Sequence, residues 1–460
     1  MSVLDLANLQ DYTEQQIKAL DIPALSIAVW QDGQLYRAAS GISSLASGVA
    51  ATPDTLFQIG SITKVFTATL VMKLVEAGRL ELDRPVKHYL PDFLVADPEA
   101  TQSITVRQLL NHTSGMMGDY FPDDPEAGNP VARYVDRCAL LPQSHPVGSQ
   151  YSYSNSAYVV AGRLVEVLFG MPWHIAMQRY IFDPLGMRQA IADPKESIYH
   201  AAAMGHVLPQ GEQQGWQMSQ QMWRVGMGPC GLLMMSASDV LTFARAHMNG
   251  GINDAGEQWL APELIDEMRS IHVSMPRRSQ CIQGHYGLGW SLQDYRQAQQ
   301  RVYGHTGATQ GFYAVLRVLP EKNLAFVILI NASQPSAMPA LSNDLLQSLA
   351  GFHAKEPPLE TGGALTPAQK ALAGRYESFD KVITIEAADD HLRAHMVYNI
   401  DPLPPTDLSL FPIEPYCFGV LDQAGKRQAN LVFVGEGGAE GSDYLFDGSR
   451  LNRCTPIGKS

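Results

Sequence analysis

Positive charge is scarce in this chain. Its 460 residues carry 33 Lys and Arg against 46 Asp and Glu, for a formal net charge of −13 and a pI near 5.4, and they contain no dense basic run. That balance excludes nucleic acid and anionic membrane surfaces as partners and leaves small molecules or peptides as substrates. Cysteine is scarce as well. The five present (Cys138, Cys230, Cys281, Cys417, Cys454) are scattered, odd in number and without ligand spacing. This speaks against a disulfide framework or a zinc site and for a reducing compartment, and no metal or other cofactor is expected. The segment Met1-Ser2-Val3-Leu4-Asp5-Leu6-Ala7 lacks a basic stretch and a long apolar run, so neither a signal peptide nor a membrane anchor is visible. The expected location is cytoplasmic, although a chain trimmed of its leader would read the same. What the chain does have is apolar bulk, 45% hydrophobic against 17% charged residues. That suffices for a large core and for more than one domain.

Ser61-Ile62-Thr63-Lys64 is the first motif with chemistry in it. A Ser followed three residues later by Lys is a pattern that chance supplies, and it recurs here at Ser378 and Lys381. The setting separates the two copies. Phe57-Gln58-Ile59-Gly60 leads into the first, and Ile62, Val65, Phe66, Ala68, Leu70, Val71, Met72, Leu74 and Val75 follow around every face of a helix expected over 61–77 and ended by Gly78. A helix apolar all round is a buried one. Its first turn aims free N–H groups and the positive dipole end at Ser61, and the spacing of three puts Lys64 on the same face. Burial lowers an ammonium pKa, so part of Lys64 would be neutral and able to take the serine proton. The alternative is an ordinary N-cap serine with a lysine snorkelling to solvent.

Two further motifs follow in order. Tyr153-Ser154-Asn155 lies in a polar stretch before a helical run over 157–169. A tyrosine near a cationic lysine would have its phenol pKa pulled down and act as general base and later acid, and Asn155 would donate its amide to the substrate carbonyl. The alternative is a hydrophilic turn with Asn155 or Ser156 as a cap. His305-Thr306-Gly307-Ala308 lies beside the hairpin pattern Phe312 to Leu319 and Leu324 to Ile330. Its glycines allow a backbone edge to approach a ligand, so an extended substrate would pair with the strand and His305 would face it as proton donor or partly positive anchor. His112, in Asn111-His112-Thr113-Ser114-Gly115, reads as a structural residue.

The ordered set resembles the serine β-lactamase and penicillin-binding-protein superfamily, in the branch of class C β-lactamases, D-alanyl-D-alanine carboxypeptidases, D-aminopeptidases and related esterases. The resemblance runs over roughly residues 20–350 and includes the Leu109 to Gly115 and Gly304 to Gly311 segments. It implies Ser61 as the acylated nucleophile with Lys64 and Tyr153 as proton-transfer partners. Asn155 and His305 would be positioning groups, and the N–H groups of Ser61 and Ala308 the oxyanion hole. Members that are true β-lactamases carry lysine where His305 stands, and the carboxypeptidases follow the motif with a hydroxyl residue where this chain has Ala308. Both departures turn the expectation away from antibiotic hydrolysis and from cell-wall trimming.

The layout implies an α+β fold, an antiparallel sheet packed by helices, over residues 1–352. A Pro- and Gly-rich linker over 353–365 leads to an all-β domain over 366–460. Leu25 to Trp30 and Gln34 to Ala39 form an N-terminal hairpin around Asp32-Gly33. The Met- and Trp-containing stretch from Met204 to Met235 reads as a pocket lining or as core. Beyond the linker, short runs at 372–377, 382–387, 392–398, 408–411, 417–421, 431–434 and 443–446 read as a meander closing into a small barrel. It resembles the lipocalin-like domains of some D-specific peptidases and of penicillin-binding-protein-type peptide cyclases, where the barrel caps the site. Arg450 or Arg453 would then hold a substrate carboxylate, the alternative being surface arginines on a closing strand. The expected function is a serine hydrolase or acyltransferase working through acyl-Ser61 on peptide-like amides or esters with a D-residue near the scissile bond. The alternatives are a thioesterase or peptide cyclase, a broad carboxylesterase and, from another class, a noncatalytic binding protein that keeps the fold.

Overall fold

The computed structural model describes the chain except for residues 1–3, 123–127, 209–214, 220–224, 400–403, 423–424, 426, 429, 437–440 and 456–460. A nine-stranded antiparallel sheet forms the backbone of the first part. The expected N-terminal hairpin is Ala24–Gln31 and Gln34–Ser44, turned by Asp32 and Gly33, both at positive φ as such a two-residue turn requires. The late hairpin is Phe312–Leu319 and Leu324–Ile330. Ala28 pairs with Val327, so early and late strands lie side by side at the sheet centre.

Those central strands are apolar on both faces because both faces are covered. Ala24, Ala28, Ala325, Val327 and Leu329 point into the helical body that contains the Ser61 segment. Leu25, Ile27, Val29, Phe326, Ile328 and Ile330 point to the opposite layer, which holds the helices Leu9–Ala19 and Ala337–Leu345. No single helix among the described residues is long and apolar enough to cross a membrane.

The helix after Ser61 runs Thr63–Glu76 and is buried nearly all round. It begins later than the sequence pattern suggests, because Gly60–Ile62 forms a 3-10 turn that carries Ser61. Gly60 has φ +53, and a Cβ there would lie 2.6 Å from the backbone nitrogen of Ala308. Only glycine lets the turn and the strand Gln300–Thr309 come this close.

Residues 352–366 carry no helix or strand. After them Gly374–Glu377, Lys381–Ala387, Leu392–Tyr398, Thr406–Glu414, Cys417–Asp422, Leu431–Val434, Tyr444–Phe446 and Leu451–Thr455 form a closed antiparallel barrel, sealed where Tyr376 pairs with Cys454. Ile383, Ile385, Leu392, Phe418, Leu431, Phe433 and Leu445 fill its interior. The alternate residues Val432, Val434, Tyr444 and Phe446 face outward, yet they too are buried, against Tyr151 and Tyr286 of the first domain. The barrel is therefore fastened to the first domain by an apolar seam beside Tyr153.

Candidate active site

Ser61 and Lys64 meet as their spacing predicts. Lys64 Nζ lies 3.1 Å from Ser61 Oγ and donates to the Cys230 carbonyl at 2.7 Å. The lysine has 0% exposure. Burial pushes its pKa down to about 8; the Cys230 thiol and Asp119 pull it back, and Arg450 pushes it further down. The snorkelling alternative is thereby excluded. The Met204–Met235 stretch contributes that Cys230 carbonyl, with Met227, Met234 and Met235 in the core. Met222 and Trp223 of the same stretch lie outside the described residues.

Tyr153 sits with its ring centroid 4.9 Å from Lys64 Nζ. Its hydroxyl is buried and without a hydrogen bond of standard geometry. The sequence led us to expect a lowered phenol pKa, and the structure corrects this. Burial drives the pKa up, and the closeness of the Ser61 hydroxyl and Arg450 offsets that only in part. Desolvation wins because Lys64, itself pushed down to about 8, has lost its charge before the phenol begins to titrate. Tyr153 is therefore a protonated phenol at neutral pH, suited to giving a proton rather than taking one first.

The backbone around Tyr153 is held by three acceptors. The N–H groups of its two neighbours, Ser152 and Ser154, donate to the His112 carbonyl and to His112 Nδ1, each at 3.0 Å. Its own N–H donates to the Ser449 carbonyl of the barrel domain at 2.9 Å. The His112 ring lies 4.2 Å from that of Tyr153 and 4.6 Å from that of Tyr286. His112 is thus structural in a specific sense, bracketing a candidate catalytic residue. The cap of the helix Asn155–Phe169 is Ser154, which accepts from Ala157 N.

His305 differs from expectation. It is 5% exposed, with a pKa pushed down to about 3 by burial and by the nearby Lys64 ammonium. Nδ1 lies 2.5 Å from the Thr306 carbonyl and must donate to it, so Nε2 accepts from the Tyr286 hydroxyl at 2.9 Å. Both nitrogens are occupied and the ring is neutral, which rules out the partly positive anchor and leaves no free donor for substrate. His305 instead orients the strand edge on which Thr306 and Ala308 are exposed. A Cβ on Gly307 would lie 1.9 Å from the Ile59 carbonyl and 3.1 Å from Ser61 N. The two N–H groups expected to form the oxyanion hole, those of Ser61 and Ala308, thus lie on abutting segments.

Asn155 Nδ2 donates to Asp119 Oδ1 at 3.2 Å, and the Arg450 guanidinium donates to the same oxygen at 2.6 Å. Asp119 and Arg450 are both largely buried, at 19% and 18% side-chain exposure. Arg450 comes from the barrel and lies 5.2 Å from the Tyr153 ring centroid. It therefore reaches the site, while Arg453 is exposed on the closing strand. The second Ser-x-x-Lys copy is elsewhere in the barrel, where Ser378 bonds Asp380 and Asn452, and Lys381 pairs with Asp447.

The sequence did not single out Tyr286, Asp119 or Ser449. Each is one ordinary polar residue brought in from a distant segment, and only the apolar run around Val432 to Val434 hinted at a second buried face. The family model described as Beta-lactamase matches residues 9–350. Penicillin-binding protein 4 of Amycolatopsis lactamdurans is 37% identical over 361 residues, 77% of this chain and 93% of that protein. The unguisins hydrolase of Aspergillus violaceofuscus is 27% identical over 344 residues, 70% of this chain and 60% of that protein. The crystal structure of SurE superposes with a TM-score of 0.79 at 26% identity, covering 98% of this chain and 99% of SurE, and so includes the barrel. The structure of SurE with D-Leu gives 0.77 at 25% identity.

Proposed function

The chain belongs to the beta-lactamase family, and from that premise we propose that it is a serine acyl-transfer hydrolase. It forms an acyl-Ser61 intermediate on peptide-like amides or esters with a D-configured residue near the scissile bond. The observation that carries the reading is the 3.1 Å approach of a fully buried Lys64 to Ser61 Oγ. D-Leu in the related SurE structure and the hydrolase activity in the name of the fungal relative support the substrate class.

Neutral Lys64 takes the Ser61 proton as Oγ adds to the substrate carbonyl, and the N–H groups of Ser61 and Ala308 receive the developing oxyanion. Tyr153 gives its phenol proton to the leaving nitrogen or oxygen, and the Lys64 ammonium returns a proton to Tyr153. Water then attacks the acyl-enzyme and gives a proton to Lys64, and the Lys64 ammonium hands that proton to Ser61 Oγ as it leaves, which restores the neutral lysine. Arg450 is the group we assign to a substrate carboxylate, exchanging part of its pairing with Asp119 for it.

The test is intact mass after incubation with a fluorophosphonate and with a penicillin, followed by location of the adduct. An adduct on Ser61 is expected, and its absence would leave the noncatalytic reading standing. A panel of p-nitrophenyl esters, D-amino-acid amides, D-Ala-D-Ala peptides and peptidyl thioesters then separates the esterase from the D-peptidase. The second reading, a peptide cyclase, is favoured by Arg450 and Ser449 reaching the site from the barrel. It requires a peptidyl thioester to yield a product one water lighter than the acid. Arg450→Gln is expected to lower kcat/KM on the order of tenfold to a hundredfold for substrates ending in a free carboxylate. An equal loss on the matching C-terminal amides would mean that Arg450 serves only Asp119.

A further inference from the structure

We propose that the buried Lys381–Asp447 pair, inside the barrel, is a positioning element of the active site that acts on Tyr153 through the turn Asp447–Arg450. The inference rests on Ser61 being the acylated nucleophile. Lys381 Nζ lies 2.6 Å from Asp447 Oδ2, each side chain 11% exposed, with Asp380 a second and weaker partner at 3.4 Å. The other carboxylate oxygen builds the turn. Asp447 Oδ1 accepts the N–H of Ser449 at 3.1 Å and that of Arg450 at 2.9 Å, while the Asp447 N–H donates to the Arg450 carbonyl at 3.0 Å.

The turn delivers two groups to the site. One is the Ser449 carbonyl that takes the Tyr153 N–H, the other the Arg450 guanidinium beside the Tyr153 ring. His112 fixes the N–H groups on either side of Tyr153 from the first domain. The Tyr153 N–H itself depends on the barrel. There is also no slack around the arginine, since a Cβ on Gly118 would lie 2.4 Å from the Tyr153 carbonyl and 2.8 Å from Arg450 Nε. A small rotation of the turn must therefore move Tyr153, Arg450 or both.

Removing the lysine charge alone takes from buried Asp447 the partner 2.6 Å away, and the carboxylate then draws on the other cations around it. Two are at hand: Arg450, now engaged with Asp119, and Arg278, whose Nη1 packs against Gly448 of the same turn. Lys381→Met is thus expected to draw Arg450 from Asp119 towards Asp447 and to twist the turn away from Tyr153. In Lys381→Met/Asp447→Asn both charges are gone, but the asparagine oxygen can still accept from Ser449 and Arg450.

The experiment is the rate of Ser61 labelling by a fluorophosphonate on the full chain, read beside thermal melting. This reagent carries no carboxylate, so the substrate-binding role given to Arg450 does not enter. Lys381→Met should label on the order of a hundredfold more slowly, the usual scale for a misplaced catalytic group. The double variant should return to within about threefold of the parent, since removing both partners of a buried pair is close to neutral. A folded Lys381→Met that labels at the parent rate overturns the proposal, as does a folded double variant as slow as the single one. If Lys381→Met fails to fold, Lys381→Gln takes its place and is judged against the parent and the double variant by the same two criteria. Failure of both to fold would make the pair mere cement for the barrel and overturn the proposal too. A parent chain that does not label at all refutes the Ser61 reading instead.

Discussion

Lys64→Met is expected to abolish acylation of Ser61 and at the same time to give a protein that melts higher than its parent. The first effect follows from the loss of the only base at 3.1 Å from Ser61 Oγ among the described residues, a role that commonly contributes 10²- to 10⁴-fold. The second comes from what burial costs. The ammonium titrates near 8 in the folded chain against an ordinary 10.5. Below 8 both folded and unfolded chains hold the proton, and folding bears the full desolvation cost, about 3 kcal/mol. Between 8 and 10.5 the folded chain has released it while the unfolded chain has not, so parental stability recovers as pH rises. Methionine removes the charge but also strands the Cys230 carbonyl, which takes back about 1 kcal/mol. The net gain is therefore about 2 kcal/mol at pH 7, a rise of a few degrees. The gap between variant and parent should narrow as melting is repeated from pH 7 towards pH 10. Parental kcat/KM should climb through pH 8 over the same range. A variant that melts lower at pH 7 and retains activity would show that Lys64 is held for structure.

The parts of this site that could be read from sequence are those fixed by one element. Ser61 and Lys64 share a helical turn, and the unbroken apolar run from Val65 to Val75 announced that the lysine would be buried. The hairpins at 24–44 and 312–330 carry their turns in their own residues, Asp32-Gly33 and Pro320 to Asn323. What sequence did not give is what depends on neighbours from afar. The Tyr153 pKa moves up and not down because burial by both domains outweighs the charges near it. His305 looked like a donor until Tyr286, from another strand, proved to occupy its free nitrogen. The barrel itself was legible as alternating strands. Its attachment was signalled only by Leu431–Val434, where alternation gives way to four apolar residues in a row because inward and outward faces are both buried.

The corrected state of Tyr153 has a consequence that depends on the substrate. A protonated phenol with a raised pKa, next to a lysine that already serves as base, is an acid for the leaving group. Tyr153→Phe keeps the ring against His112 and Tyr286 and removes only the hydroxyl. An amide nitrogen must be protonated to leave, so acylation by D-amino-acid amides should fall on the order of 10²- to 10⁴-fold. A p-nitrophenolate leaves without a proton, and acylation by the matching p-nitrophenyl esters should fall about tenfold at most. The fold should not suffer, because the lost hydroxyl is buried without a partner, a state that itself costs about 1 to 3 kcal/mol. The measurement is the single-turnover acylation rate of the two substrate series in parent and variant. Equal losses for amide and ester would assign Tyr153 to the first proton transfer and return Lys64 to an electrostatic role. A large amide-selective loss would divide the two steps between the two residues, the base near pH 8 and the acid held protonated by the same burial that lowers its neighbour.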